Sequence, residues 1–191
     1  MFIQVETTPN PATLKFITGT KVLSSGTMQF NNVDETVDKS QFAADLFSIV
    51  GVKAVFLGFD FISVTRADGI AWDIIRADIL SVIMDYFTKG IPLTKQEILA
   101  NEGITNTSSD LSDNEGNALI YQIKEILEQK VRPAVAQDGG DIIFHSFKDG
   151  IVKLELHGAC SGCPSSTATL KNGVENLLKY YVPEVISVEA V

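Results

Sequence analysis

Ile142-Ile143-Phe144-His145-Ser146-Phe147 leads into Lys148-Asp149-Gly150, then Ile151-Val152-Lys153-Leu154-Glu155-Leu156-His157, then Gly158-Ala159-Cys160-Ser161-Gly162-Cys163-Pro164-Ser165-Ser166. The first and third runs read as strands, and the second as a hairpin turn between them. Val152, Leu154 and Leu156 alternate with Lys153, Glu155 and His157, which predicts one buried and one wet face. His157 then reads as a solvated strand residue. His145 shares a face with Ile143 and Phe147 and reads as partly buried. The cysteine loop leaves the second strand directly. A helix from Ser165 to Tyr180 follows, with Leu170, Val174, Leu177, Leu178 and Tyr181 on one side. Pro183 ends it, and Val185 to Val188 reads as a last strand.

Upstream of the hairpin, Leu119, Ile120, Ile123, Ile126, Leu127 and Val131 mark a helix stripe that Pro133 is expected to close. Gln137-Asp138-Gly139-Gly140-Asp141 is a turn. Its Asp138 and Asp141 resemble a carboxylate pair, but Asp flanking Gly-Gly is usually turn chemistry. Residues 118–191 therefore form one unit of order α-β-β-α-β. Residues 92–117 differ in character. From 91 to 117 there is one Lys against five acidic residues, a net of −4. The stretch Asn106-Thr107-Ser108-Ser109-Asp110 has little to bury, so 92–117 reads as a flexible acidic linker. A short helix near Gln96 to Ala100 is compatible with it.

Residues 1–91 form a second unit. Phe2 to Glu6 and Leu14 to Thr18 read as strands around the turn Thr8-Pro9-Asn10-Pro11. Residues 19–38 are rich in Gly, Ser, Asn and Asp, and read as loops with at most short strands. Ser40 caps a predicted helix from Gln41 to Ile49, and Gly51 stops it. Val52 to Leu57 and Phe61 to Thr65 pair as strands, and Trp72 to Phe87 is a helix with Ile75, Ile79, Leu80, Ile83 and Phe87 as its core stripe. The fold class is α+β: two small mixed domains joined by a flexible acidic linker.

The net charge of the 191 residues is −9. A chain this acidic is a poor partner for nucleic acid or an anionic membrane, where Lys and Arg must meet phosphates. No run approaches the roughly 18 apolar residues of a membrane span. The first basic residue is Lys15, so the N-terminus reads as neither a secretory signal nor an arginine-rich transit peptide. This favours a bacterial cytoplasm, with the mitochondrial matrix as the location of a processed form.

Only two cysteines occur, Cys160 and Cys163. A secreted disulfide scaffold spreads its cysteines along the chain. A pair two residues apart in a reducing compartment binds metal or does redox work. Gly158 and Gly162 let the backbone approach closely, and Pro164 suits the first position of a helix. The free N–H groups there are expected to lower the thiolate pKa and to tolerate an anionic cluster. Two thiolates are half of the four that a structural zinc or a common iron–sulfur cluster takes. Ligand counting leaves three choices: two cysteines from each of two copies, a mixed site with His, or no metal. The competing functions are a dithiol oxidoreductase and a zinc-stabilised interaction module.

Several runs together resemble a known domain: Arg132-Pro133 with Asp138-Gly139-Gly140-Asp141; Leu154 and Leu156 leading to Gly158-Ala159-Cys160 and Gly162-Cys163-Pro164-Ser165-Ser166; Thr169-Leu170-Lys171 with Gly173-Val174-Glu175; and Val182-Pro183-Glu184-Val185. They resemble the NifU-like C-terminal domain. Thr8-Pro9-Asn10-Pro11-Ala12-Thr13-Leu14-Lys15-Phe16, with Leu46-Phe47, Gly51-Val52, Val55-Phe56 and Asp60-Phe61-Ile62, resembles the N-terminal domain of Nfu-type proteins. The resemblance implies an iron–sulfur cluster scaffold or carrier rather than an enzyme. It implies a 4Fe–4S cluster (2Fe–2S also takes four thiolates) bound by Cys160 and Cys163 between the two chains of a homodimer. An upstream assembly scaffold would supply the cluster and apo iron–sulfur proteins would receive it. The N-terminal unit, with no Cys or His, is expected to recognise targets or serve architecture.

Overall fold

A computed structural model describes residues 2–95, 116–161 and 164–191, with side chains over 2–95, 118–161 and 168–191. The expected helix near Gln96 and most of the expected linker lie outside the described residues. The chain divides into two compact units between Thr107 and Ser108.

The first unit is an antiparallel five-stranded sheet backed by helices. Its strands are β1 (Gln4–Thr7), β2 (Thr13–Ile17), β3 (Met28–Phe30), β4 (Val52–Leu57) and β5 (Phe61–Arg66), in the order β1-β2-β5-β4-β3. Helix α1 spans Gln41–Phe47 and α2 spans Trp72–Lys89. Leu14 and Phe16, Val55 and Leu57, and Ile62 and Val64 alternate in their strands, so one sheet face is apolar. That face packs on Phe42, Ala43 and Leu46 of α1 and on Ile75, Ile79 and Ile83 of α2. Fully burying one such side chain contributes about 2 kcal/mol. Ser40 caps α1 as expected: its hydroxyl accepts from Ala43 N at 3.0 Å and donates to the Leu93 carbonyl at 2.6 Å. Leu93 and Thr94 are themselves buried, so the chain is pinned to this unit past residue 92, where the linker was expected to begin.

The second unit opens with α3 (Gly116–Ile126), which continues through a π-helical turn (Leu127–Val131) into α4 (Arg132–Gln137). Pro133 therefore does not close the helix. A proline ring clashes with the carbonyl four residues back in a regular α-helix. The wider π turn, in which Arg132 N donates to the Leu127 carbonyl five residues back, makes room for it. Strands β6 (Gly140–Lys148) and β7 (Ile151–Gly158) form the expected hairpin, turning at Asp149 (φ 53°) and Gly150 (φ 78°). Helix α5 spans Pro164–Tyr181, and β8 (Ser187–Ala190) lies parallel to β7, giving sheet order β6-β7-β8. The element order is the one expected. Ile123, Leu127, Val135, Ile142, Val152, Leu154, Val174 and Leu178 share the core.

One strand departs from simple alternation. Phe144 pairs with Leu154 but Ser146 pairs with Lys153, so His145 is the extra residue of a β-bulge. The bulge resets the phase, and Phe144 and Phe147 both pack on the core. His145 is thereby exposed, contrary to the expectation that it is partly buried.

Candidate metal centre

Cys160 follows β7 by two residues and is buried, at 6% exposure. Its backbone is fixed from both sides. The preceding Ala159 N donates to the Gly139 carbonyl at 3.0 Å. The following Ser161 donates to the Gly158 carbonyl twice, from N at 3.2 Å and from Oγ at 2.8 Å. Gly139 takes φ 79°, a conformation open to glycine, which turns α4 into β6 beside the cysteine loop. Gly140 is closer still. A Cβ built on it would lie 2.7 Å from Cys160 Sγ and 2.6 Å from the His157 carbonyl oxygen. The sulfur thus occupies space that any side chain at 140 would claim.

Beside this turn a buried carboxylate is paired with a half-buried guanidinium. Arg132 Nε and Nη2 donate to the two carboxylate oxygens of Asp141 at 2.7 and 2.6 Å, and Nη1 reaches Glu128 at 2.5 Å. Asp141 is 3% exposed and also accepts from Ile142 N at 2.8 Å. These bonds to Asp141 push the Arg132 pKa further up. Asp141 is therefore a structural anchor, which agrees with its reading as turn chemistry rather than as a catalytic carboxylate. Its bidentate partner Arg132 is not marked by any local pattern. The available signal was an acid opening the apolar strand Ile142-Ile143-Phe144, since a buried carboxylate needs a cation.

The thiol's electrostatics reverse one expectation. Burial, and then the charges of Asp138 and Asp141, push the Cys160 pKa up to about 12 from the ordinary 9.0. Loss of water disfavours the thiolate, so the lowered pKa expected at the helix N-terminus is not found. His157 also differs from its reading as a solvated residue. Its side chain is 14% exposed and its Nε2 lies 2.8 Å from Glu155 Oε1. Cys163 and Gly162 lie outside the described residues. Among the described residues no three His, Cys, Asp or Glu side chains cluster to hold a metal ion. No helix among them is long and apolar enough to cross a membrane.

Comparison with known proteins bears on both units. Residues 3–90 match the family description "Scaffold protein Nfu/NifU N terminal", and residues 123–189 match "NifU-like domain". A human protein named "NFU1 iron-sulfur cluster scaffold homolog, mitochondrial" is 45% identical over the whole of this chain, which spans 72% of that relative. The chain belongs to the Nfu family. A Drosophila ananassae Nfu relative with the same printed name is 43% identical over 191 residues, and this chain spans 64% of its length. The solution structure of a NifU-like protein from Saccharomyces cerevisiae is 26% identical, covering 49% of this chain and 84% of that one with a TM-score of 0.44. The family assignment rests on the sequence matches, which cover both units of the Nfu chain.

Proposed function

We propose that this Nfu chain is a carrier of iron–sulfur clusters, with the cluster as its cargo. Cys160 and Cys163 would bind a 4Fe–4S cluster together with the same pair from a second copy, and apo-proteins would receive it. The observation that carries this reading is the half-complete donor set. The chain holds two cysteines, Cys160 and Cys163, two residues apart, and among the described residues no three His, Cys, Asp or Glu side chains cluster to hold a metal ion. Four thiolates are the usual complement of a cluster, and a two-fold pair of such loops supplies them. Kinship over the whole of this chain to proteins named as iron–sulfur cluster scaffolds supports iron and sulfide over zinc. A site divided between two chains opens by dissociation, as delivery requires, whereas a structural metal site is closed.

The rivals fit less well. A thioredoxin-like dithiol pair sits near a βαβ unit, whereas here the antiparallel hairpin of β6 and β7 leads into the cysteine loop. The kinship to proteins named as iron–sulfur cluster scaffolds weighs against the zinc reading. The role is binding and transfer rather than catalysis. An upstream assembly protein would supply the cluster, and the reducing interior that the thiols require would be a mitochondrial matrix, as the relatives' names support, or a bacterial cytoplasm. Residues 1–91 would recognise the client, residues 92–117 would tether, and residues 118–191 would deliver.

Transfer is tested by mixing the loaded chain with an apo-enzyme that needs a 4Fe–4S cluster. Client activity should appear in step with loss of the carrier's visible absorption. Activation no faster than with equimolar free iron and sulfide would contradict the proposal.

A further inference from the structure

We propose that Gly140 forms a storage seat for the Cys160 sulfur in the metal-free chain, so that cluster loading requires Cys160 to leave that seat. Cys160 belongs to the same packed core as Ile142, Val152, Leu154 and Val174. Its sulfur lies 2.7 Å from the position of a Cβ on Gly140, and its own Cβ lies 3.2 Å from it. Real carbon–sulfur contacts are far longer than 2.7 Å, so the seat exists only because residue 140 is glycine. Gly140 is paired across the hairpin with Gly158, which keeps the seat and the loop in fixed register. The Ala159–Gly139 bond and the two Ser161–Gly158 bonds hold the loop over it.

A seated sulfur cannot be shared with a second chain. Four sulfurs from two copies do not converge by docking alone: Cys160 of each copy must first turn outward. Gly140 is therefore a positioning residue that biases a two-position cysteine. A core position keeps the thiol from oxidants and stray metals until loading begins. The inference takes its meaning from the carrier proposal, but its test is made on metal-free protein. A chain that seats Cys160 yet never takes up iron and sulfide would overturn the carrier reading alone.

The test is the rate at which iodoacetamide alkylates Cys160 in the full-length, metal-free chain carrying Cys163→Ser. The native rate should be about a hundredfold below that of the same chain in denaturant, as for a site reached only by local opening. Adding Gly140→Ala should raise the native rate about tenfold by filling the seat. Val152→Ala, which loosens the same core without touching the seat, should raise it no more than its urea midpoint predicts. Equal native and denatured rates, or equal acceleration by the two variants, would overturn the proposal. Gly140→Ala also crowds the His157 carbonyl, so a second measurement covers failure of that variant to fold. In that case the native chain decides by the Cys160 χ1 rotamer, read from its Hα–Hβ couplings: one fixed rotamer if the sulfur is seated, rotamer averaging if the proposal is wrong.

Discussion

Arg132 and Asp141 are nine residues apart in sequence and meet through two short, parallel hydrogen bonds. Asp141 is almost fully buried, so removing its partner leaves a charge with no adequate solvation. Arg132→Ala should destabilise the second unit by about 3 kcal/mol, readable as a lowered urea midpoint. Replacing the pair by apolar residues of similar volume should cost much less, because no lone charge then remains. Cys160 gives a pH signature. Its pKa is raised in the folded chain, from 9.0 to about 12, so the unfolded chain ionises first as pH rises. The stability tied to the neutral thiol is present below pH 9 and is lost between 9 and 12. In that window the native chain should lose up to about 1.4 kcal/mol per pH unit more than Cys160→Ala does, measured by urea unfolding at each pH.

At the scale of elements, Ser40 serves two segments at once. Ser40→Ala removes the cap of α1 and the bond to the Leu93 carbonyl, and should destabilise the first unit by about 2 kcal/mol in chemical unfolding. Most elements were legible because each rests on a local pattern. The stripe Ile75, Ile79, Ile83 fits a helix, Val152 and Leu154 fit a strand, and Asp149-Gly150 fits a tight hairpin. Two features were not legible. A π turn changes the hydrogen-bond register without disturbing the apolar stripe Ile123, Ile126, Leu127, Val131, so Pro133 looked like a terminus. The bulge at His145 shows only when β6 is laid against β7, since the mismatch is one residue between two strands. The cysteine pair was legible from spacing. The burial of Cys160 was not, because the proposed seat is made by Gly140, twenty residues away, and by water excluded from a core that no local pattern displays.

For the whole molecule, the proposed division of labour between units carries its own prediction. If the acidic stretch tethers a client-binding unit to a delivering unit, the linked chain raises the effective concentration of one at the other. At low concentration the full chain should then activate a client faster than residues 118–191 alone. Equal rates would remove the tethering role and leave carriage intact. The proposed carriage depends on four sulfurs drawn from two chains around one cluster. The most direct measurement is native mass spectrometry of the full chain after anaerobic incubation with iron and sulfide, beside the Cys163→Ser chain. The native chain should appear as a dimer holding a single 4Fe–4S cluster, and the variant as a metal-free monomer. A cluster retained by Cys163→Ser, or one held by a single native chain, would contradict the shared four-cysteine site.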